Sequence, residues 1–219
     1  MKICVADTIL FTFHFSPFTL IVMANVKERI GEILQRHIIV KDAAIGTSLI
    51  GSRRDILPEL ISINEPQRVV AMYKESIKAG ARIITTNTFL SDPLSLASCG
   101  VTHSCDEVVA AALHAAREAR EQSDKEIFIA GSIGPSTRNI TLAIDLTEEE
   151  LRASYRTLIE ALKREGADIL LIESVTDVRN AEIAAERVKS CDVVPALKDQ
   201  GQRRGDILLL GAVVVPAAR

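Results

Sequence analysis

Short apolar runs alternate along this chain with longer stretches in which apolar residues return every three or four positions. That is the pattern of strands buried on both faces, set between amphipathic helices. The clearest unit is GADILLIESVT at residues 166–176. Gly166 stops a helix, residues 169–172 form an apolar run, and a lone carboxylate, Glu173, follows. This reads as a parallel strand delivering one acid to its C-terminal end, where α/β proteins carry their sites. The same grammar occurs in Gly80-Ala81-Arg82-Ile83-Ile84-Thr85-Thr86-Asn87, so the chain is a serial array of strand and helix units.

The first helical pattern spans residues 25–36, with Val26, Ile30, Ile33 and Leu34 on one face. A strand at 38–40 follows, ending in Asp42 and a tight turn, Ala43-Ala44-Ile45-Gly46-Thr47. Asn64-Glu65-Pro66 predicts a helix start with a capping residue and a first-turn proline. Val69, Val70, Tyr73 and Ile77 then recur at helical spacing until Gly80. The second strand runs out in Thr86-Asn87-Thr88-Phe89, a polar loop and an alanine-rich helix over 106–122. A third strand at 127–130 leaves Gly131-Ser132-Ile133-Gly134-Pro135-Ser136-Thr137, whose two glycines around a serine predict close backbone approach to a ligand. Thr147 with Glu150 forms a capping box, Leu146 is placed to staple onto Leu151, and Leu151, Tyr155, Leu158 and Leu162 mark the buried face. The fourth strand carries Glu173. A helix over 178–189 turns Ala181, Ala184, Ala185 and Val188 inward, and a fifth strand is expected at 193–197.

Residues 1–23 differ from the rest, holding Phe11, Phe13, Phe15 and Phe18 of the six phenylalanines and only Lys2 and Asp7 as charges. His14 and Pro17 interrupt this stretch and it is too short to span a bilayer, so it reads as an atypical apolar extension before a start at Met23. Residues 24–197 read as the domain proper and 198–219 as an atypical apolar tail. The expected fold class is α/β, an incomplete (β/α)8 TIM-barrel type with four to five units, about half of a full barrel. Such a chain leaves its last strand unpaired and the inward-facing Ile83, Ile129 and Leu171 uncovered, which predicts self-association or a complementary half-barrel partner.

With 219 residues, 47% of them hydrophobic and 25% charged, the chain can build one sizeable core. A net charge of -3 offers nothing to nucleic acid or to an anionic membrane. Cys4, Cys99, Cys105 and Cys191 form no CxxC pair and read as reduced thiols of a cytoplasmic protein. Cys99, His103 and Cys105 lie close in sequence, but their spacing is not a common zinc signature, so loop and helix packing is the reading taken; Cys191 reads as structural.

At the strand ends, Asp42, Asn87, Ser132 and Glu173 share the rim on which barrel enzymes carry chemistry. Two carboxylates suit acid-base work or a ligand ammonium, and the Gly46-Thr47 turn offers N–H groups to a carboxylate, so together they fit a zwitterionic amino acid. A barrel lyase using Glu173 as base is the rival from another class, and it calls for a Schiff-base lysine at a strand end. Lys41 is near, but the turn motif at Asp42 argues against it.

Asp42-Ala43-Ala44-Ile45-Gly46-Thr47, Ala79-Gly80-Ala81 with Thr86-Asn87-Thr88-Phe89, Gly131-Ser132-Ile133-Gly134-Pro135, and Gly166-Ala167-Asp168 with Ile172-Glu173-Ser174 resemble, in order, the homocysteine S-methyltransferase family over residues 26–197. Gly134-Pro135-Ser136-Thr137-Arg138 is most similar to the homocysteine-binding module of cobalamin-dependent methionine synthases. The resemblance implies a (β/α)8 barrel in which a zinc-bound homocysteine thiolate takes a methyl group in methionine synthesis. It implies that Asp42 and Glu173 hold the amino group and that backbone near Gly46 and Thr47 receives the carboxylate, with Asn87 and Ser132 completing the substrate set. The chain departs from the family in two ways. The family's three zinc cysteines belong to later strand-end segments that this sequence does not contain, and Ala43 and Ile45 replace the glycine and methionine of the usual turn. The expectation is therefore an incomplete, inactive methyltransferase with no catalytic or metal-binding residue of its own. The methyl donor stays open among methyltetrahydrofolate with cobalamin, betaine and S-methylmethionine. A non-catalytic half-barrel that pairs with a partner is the alternative.

Overall fold

The structure, a computed structural model, describes residues 19–22, 24–43, 45–51 and 56–189. The expected fifth strand, the C-terminal tail, Cys4 and Cys191 lie outside these residues. Three strands, β2 (Ile83–Thr85), β3 (Phe128–Ile133) and β4 (Ile169–Ile172), are parallel and adjacent. A fourth, β1 (Thr19–Val22), runs antiparallel against β4, giving the order β1-β4-β3-β2. The described sheet is thus open, with helices on both faces.

Side-chain alternation sorts the two faces. Ile84, Ile129, Ile133, Leu170 and Ile172 join the larger core under α4 (Pro66–Lys78), α6 (Cys105–Glu121), α7 (Glu148–Arg164) and α8 (Val178–Lys189). These helices pack in chain order, α4 on α6, α6 on α7 and α7 on α8. Ile83, Phe128, Ala130, Ile169 and Leu171 point the other way and meet Val26 and Ile30 of α1 (Ala24–Leu34) together with Ile39. Ile129 accordingly faces the helices, not the inner face expected for it. Ile83 and Leu171 are covered by α1, and β1 pairs with the edge of β4, while the last strand, expected to be unpaired at 193–197, lies outside the described residues. Residues 19–22, within the stretch read as an extension, therefore pair with the sheet.

The strand expected at 38–40 reduces to a single bridge between Lys41 and Ile83. The N–H groups of both Arg82 and Ile83 converge on the Val40 carbonyl, at 2.9 and 3.3 Å, which ends the ladder after one step. Of the tight turn expected at 43–47, Ile45, Gly46 and Thr47 instead begin a short helix, α2 (Ile45–Ile50). A 3-10 turn (Pro58–Leu60) and α3 (Ile61–Asn64) precede α4, whose cap is Glu65 and not Asn64, with no side-chain capping bond. The polar loop after β2 contains α5 (Pro93–Ser98), capped by Asp92 accepting from the Ser95 N–H at 3.2 Å. Capping boxes close the starts of both long helices, Ser104 with Glu107 on α6 and Thr147 with Glu150 on α7.

Two glycines serve packing. A Cβ at Gly131 would lie 2.9 Å from Leu162 Cδ2 of α7, and one at Gly134 would lie 2.2 Å from the Phe89 carbonyl oxygen. The room that the sequence suggested for a ligand is filled by the protein itself.

Candidate functional site

Along the inner face, apolar residues give way to polar ones toward the carboxyl ends of the strands. Ile83 is followed by Thr85, Phe128 and Ala130 by Ser132, and Ile169 and Leu171 by Glu173. Beyond these ends lies a cleft of about 330 Å³ lined by Lys41, Gly46, Thr47, Glu59, Asn87, Ser132 and Glu173, with Phe89 and Leu90 as apolar wall. Five of the six expected substrate residues, Gly46, Thr47, Asn87, Ser132 and Glu173, thus border one space.

Asp42 does not line it. Its carboxylate is buried and engaged: Oδ2 accepts the Thr85 N–H at 2.8 Å, while Oδ1 accepts the Thr85 hydroxyl at 2.7 Å and Lys41 Nζ at 3.3 Å. Burial raises its pKa, and the Lys41 charge and the Thr85 hydrogen bonds pull it back down. Lys41 stands in the lining instead, its Nζ donating to Thr85 Oγ1 at 2.9 Å. Strand alternation carries the signal that finds it: Ile39 packs on the inner face, so the residue two positions on shares that face. The apolar run 38–40 hid this alternation, because Ile38 and Val40 are exposed.

Glu173 is half-buried and fixed by Ser132, whose hydroxyl donates to Oε1 at 2.5 Å. Ser132 is braced on both sides. Its N–H donates to Thr86 Oγ1 at 3.0 Å, and its carbonyl accepts the Thr88 hydroxyl at 2.8 Å. Ser174, next to Glu173 and also in the lining, holds φ 58, a left-handed conformation that costs a non-glycine residue about 1 to 2 kcal/mol. Asn87 is buried and donates to the Pro58 carbonyl at 2.6 Å and Ser62 Oγ at 3.0 Å, so its amide nitrogen ties the 3-10 turn to the strand end.

Glu59, in that turn, is a lining residue that sequence reading missed. It is buried; Oε1 accepts the Leu90 N–H at 2.8 Å, and Oε2 has no hydrogen-bond partner among the described residues. Burial raises its pKa, with Asp92 adding to the rise and the backbone bonds opposing it. Nothing local distinguishes Pro58-Glu59-Leu60 from an exposed helix start, so no sequence signal pointed to it.

Among the described residues, no three His, Cys, Asp or Glu side chains are grouped to hold a metal ion. Cys99 is exposed, whereas Cys105 is buried and its thiol is pushed up to about 12 by burial and by Asp106 and Asp92.

The sequence matches the family described as homocysteine S-methyltransferase over residues 39–202. In three dimensions it is similar to the homocysteine methyltransferase MmuM from Escherichia coli. The metallated form of that protein superposes with a TM-score of 0.60 at 21% identity, covering 73% of this chain and 62% of that one. The oxidized form gives 0.59 at 21% identity, with 74% and 62% covered. This chain therefore spans less than two thirds of the length of MmuM.

Proposed function

From the premise that the chain belongs to the homocysteine S-methyltransferase family, we propose that its cleft binds L-homocysteine for methyl transfer to the thiol. In that reaction the thiol's proton passes to solvent, the sulfur lone pair forms a new bond to the methyl group, and the bond between the methyl group and its donor breaks, the donor leaving with that electron pair. The observation that carries the reading is the convergence of Glu173, Ser132, Asn87, Gly46 and Thr47 on one cleft at the strand ends. Glu173 supplies a carboxylate to the ligand's ammonium, and Ser132 holds it in position. Phe89 and Leu90 give the side chain of the amino acid an apolar wall. We read the sheet as belonging to a (β/α)8 arrangement, a reading supported by its three parallel strands and by polar residues gathered at their carboxyl ends. Free Cys99 and Cys105 support a reducing, cytoplasmic setting. Among the described residues no helix is long and apolar enough to cross a membrane.

The family's zinc finds no donor set among the described residues. What these residues supply is recognition and orientation of the amino acid. The lyase alternative gains a cleft lysine, but its Nζ is engaged by Asp42 and Thr85.

Calorimetric titration with L-homocysteine under reducing conditions tests the reading. Glu173→Gln is expected to weaken binding by about 1.5 to 3 kcal/mol, the scale of a hydrogen bond to a charged group. Equal affinity in the wild type and the variant removes Glu173 from the ammonium site.

A further inference from the structure

Glu59 is the second acid in the lining of the cleft, and the reading just given has no use for it. Its carboxyl ties two elements together. The side chain belongs to the 3-10 turn, and Oε1 accepts the N–H of Leu90, which with Phe89 makes the apolar wall of the cleft. Elsewhere the wall is anchored without it. The Phe89 carbonyl accepts the Gly134 N–H at 3.0 Å, and Asp92 Oδ1 accepts the hydroxyls of Ser136 and Ser154 at 3.1 and 2.7 Å. Toward the 3-10 turn the ties are Asn87, donating to the Pro58 carbonyl, and Glu59. Of these two, only Glu59 can gain or lose a proton. It is 2% exposed, and its Oε2 has no partner among the described residues. A neutral carboxyl placed there still accepts from Leu90 and buries no charge, whereas an ionised one leaves charge on an oxygen that nothing meets. The charged neighbours do not offset it. Asp92 is the charge that acts on Glu59, and α2 and α3 hold no titratable side chain. α6, also packed on the turn, gives Glu107 and His114 to a separate groove beside α3. In the cleft itself Lys41 is bonded to Asp42 and Thr85, and Glu173 to Ser132.

We propose that Glu59 is a proton-operated latch on the cleft wall: neutral Glu59 holds Leu90 against the 3-10 turn, and its ionisation releases Leu90 and opens the cleft. The sign follows from burial. Burial raises the pKa of Glu59 while the wall is closed, and Asp92 adds to the rise. Once released into water, the carboxyl titrates in the ordinary carboxylate range. The closed wall is therefore complete at acid pH and is lost as pH rises through the closed-state pKa. A ligand that needs Phe89 and Leu90 as its wall is held more tightly on the acid side. The latch involves only the wall and the turn, so it stands apart from the amino-acid reading above.

Amide hydrogen exchange followed by NMR on the full chain tests this, because the Leu90 N–H makes the latch bond. Protection is read against the intrinsic exchange rate from about pH 5 to about pH 8, the range in which buried carboxyls titrate. The Glu173 N–H, bonded to the Ile133 carbonyl at 3.0 Å, reports the stability of the sheet in the same sample. As pH rises, Leu90 is expected to lose about tenfold or more protection beyond any loss at Glu173, since it opens locally. Glu59→Gln keeps an acceptor for Leu90 and cannot ionise. In that variant the ratio of the two protections is expected to stay within about twofold across the range. Wild-type Leu90 protection that tracks Glu173 throughout overturns the proposal, since Glu59 would then act only on overall stability. A pH-dependent loss at Leu90 that persists in the Gln variant also overturns it, because another group would be the switch. So does a Leu90 amide that is unprotected even at the acid limit, for then no closed wall exists. The two wild-type amides decide the first and last of these by themselves should the variant not fold.

Discussion

Glu59 shows how a single residue couples the site to stability. A carboxyl whose folded pKa lies above its ordinary value contributes most when protonated, and that contribution is lost as pH rises through the folded pKa. The rise at Glu59 comes first from burial, with Oε2 left without a partner among the described residues. Glu59→Gln keeps an oxygen for the Leu90 N–H and cannot ionise. The variant's melting temperature relative to wild type is therefore expected to increase from acidic to neutral pH. Asp42 shifts in the same direction but is common to both proteins, so the difference isolates Glu59. A melting difference that stays flat with pH would mean that Glu59 ionises in the folded protein as freely as in water. Asp42 teaches a related lesson: its place just beyond an apolar run was legible in the sequence, whereas the partners that consume its oxygens were not. Thr85 is 43 residues away, and only pairing of the two segments brings it there.

At the scale of elements, α7 and β4 were the most readable parts of the chain. Their signals are local: a capping box lies within one turn, and the apolar run Ile169–Ile172 is bounded by Gly166 and Glu173. Thr147 N–H and hydroxyl both reach Glu150 Oε2, at 2.8 and 2.7 Å, and Thr147 Oγ1 accepts the Glu150 N–H at 3.3 Å. Thr147→Ala is expected to lower unfolding free energy by about 1 kcal/mol, read as a shift in the urea midpoint at unchanged slope. A wild-type midpoint would show that the exposed cap is satisfied equally well by water. The box at Ser104 was equally visible but went unread, because the helix was expected to begin at Asp106. Short elements were the least readable: α2, α3 and α5 hold six, four and six residues, too few turns for a helical period to stand out.

At the scale of the whole molecule, α1 decides how the sheet is finished. Val26 and Ile30, 3% and 6% exposed, cover the face that a bare half-barrel would leave open. Ile30→Ala is expected to cost about 2 to 5 kcal/mol and to increase binding of a hydrophobic dye, since it uncovers Ile83, Phe128 and Leu171. Ile38→Ala, at a site 75% exposed, is the control and should change stability by less than about 0.5 kcal/mol. Equal effects of the two substitutions would mean that α1 does not seal the sheet. The aggregation expected for an uncovered half-barrel thus depends on whether the α1 contact holds, not on the strand count.

By itself the sequence determined the alternation of β2, β3 and β4 with α4, α6, α7 and α8, the amphipathic faces of α1, α4, α7 and α8, and the row of polar residues at the strand ends, because each is written in neighbours a turn or a pleat apart. Only the tertiary structure decided which of two adjacent charges, Lys41 or Asp42, faces the cleft, and that Glu59 enters it. Only it placed β1 and α1 on the open edge and face of the sheet. The reason is that these outcomes depend on partners far along the chain: Lys41 on Thr85, 44 residues on, and Glu59 on Leu90, 31 residues on. A charge can remain buried only where such a partner meets it, and local pattern carries no information on that meeting.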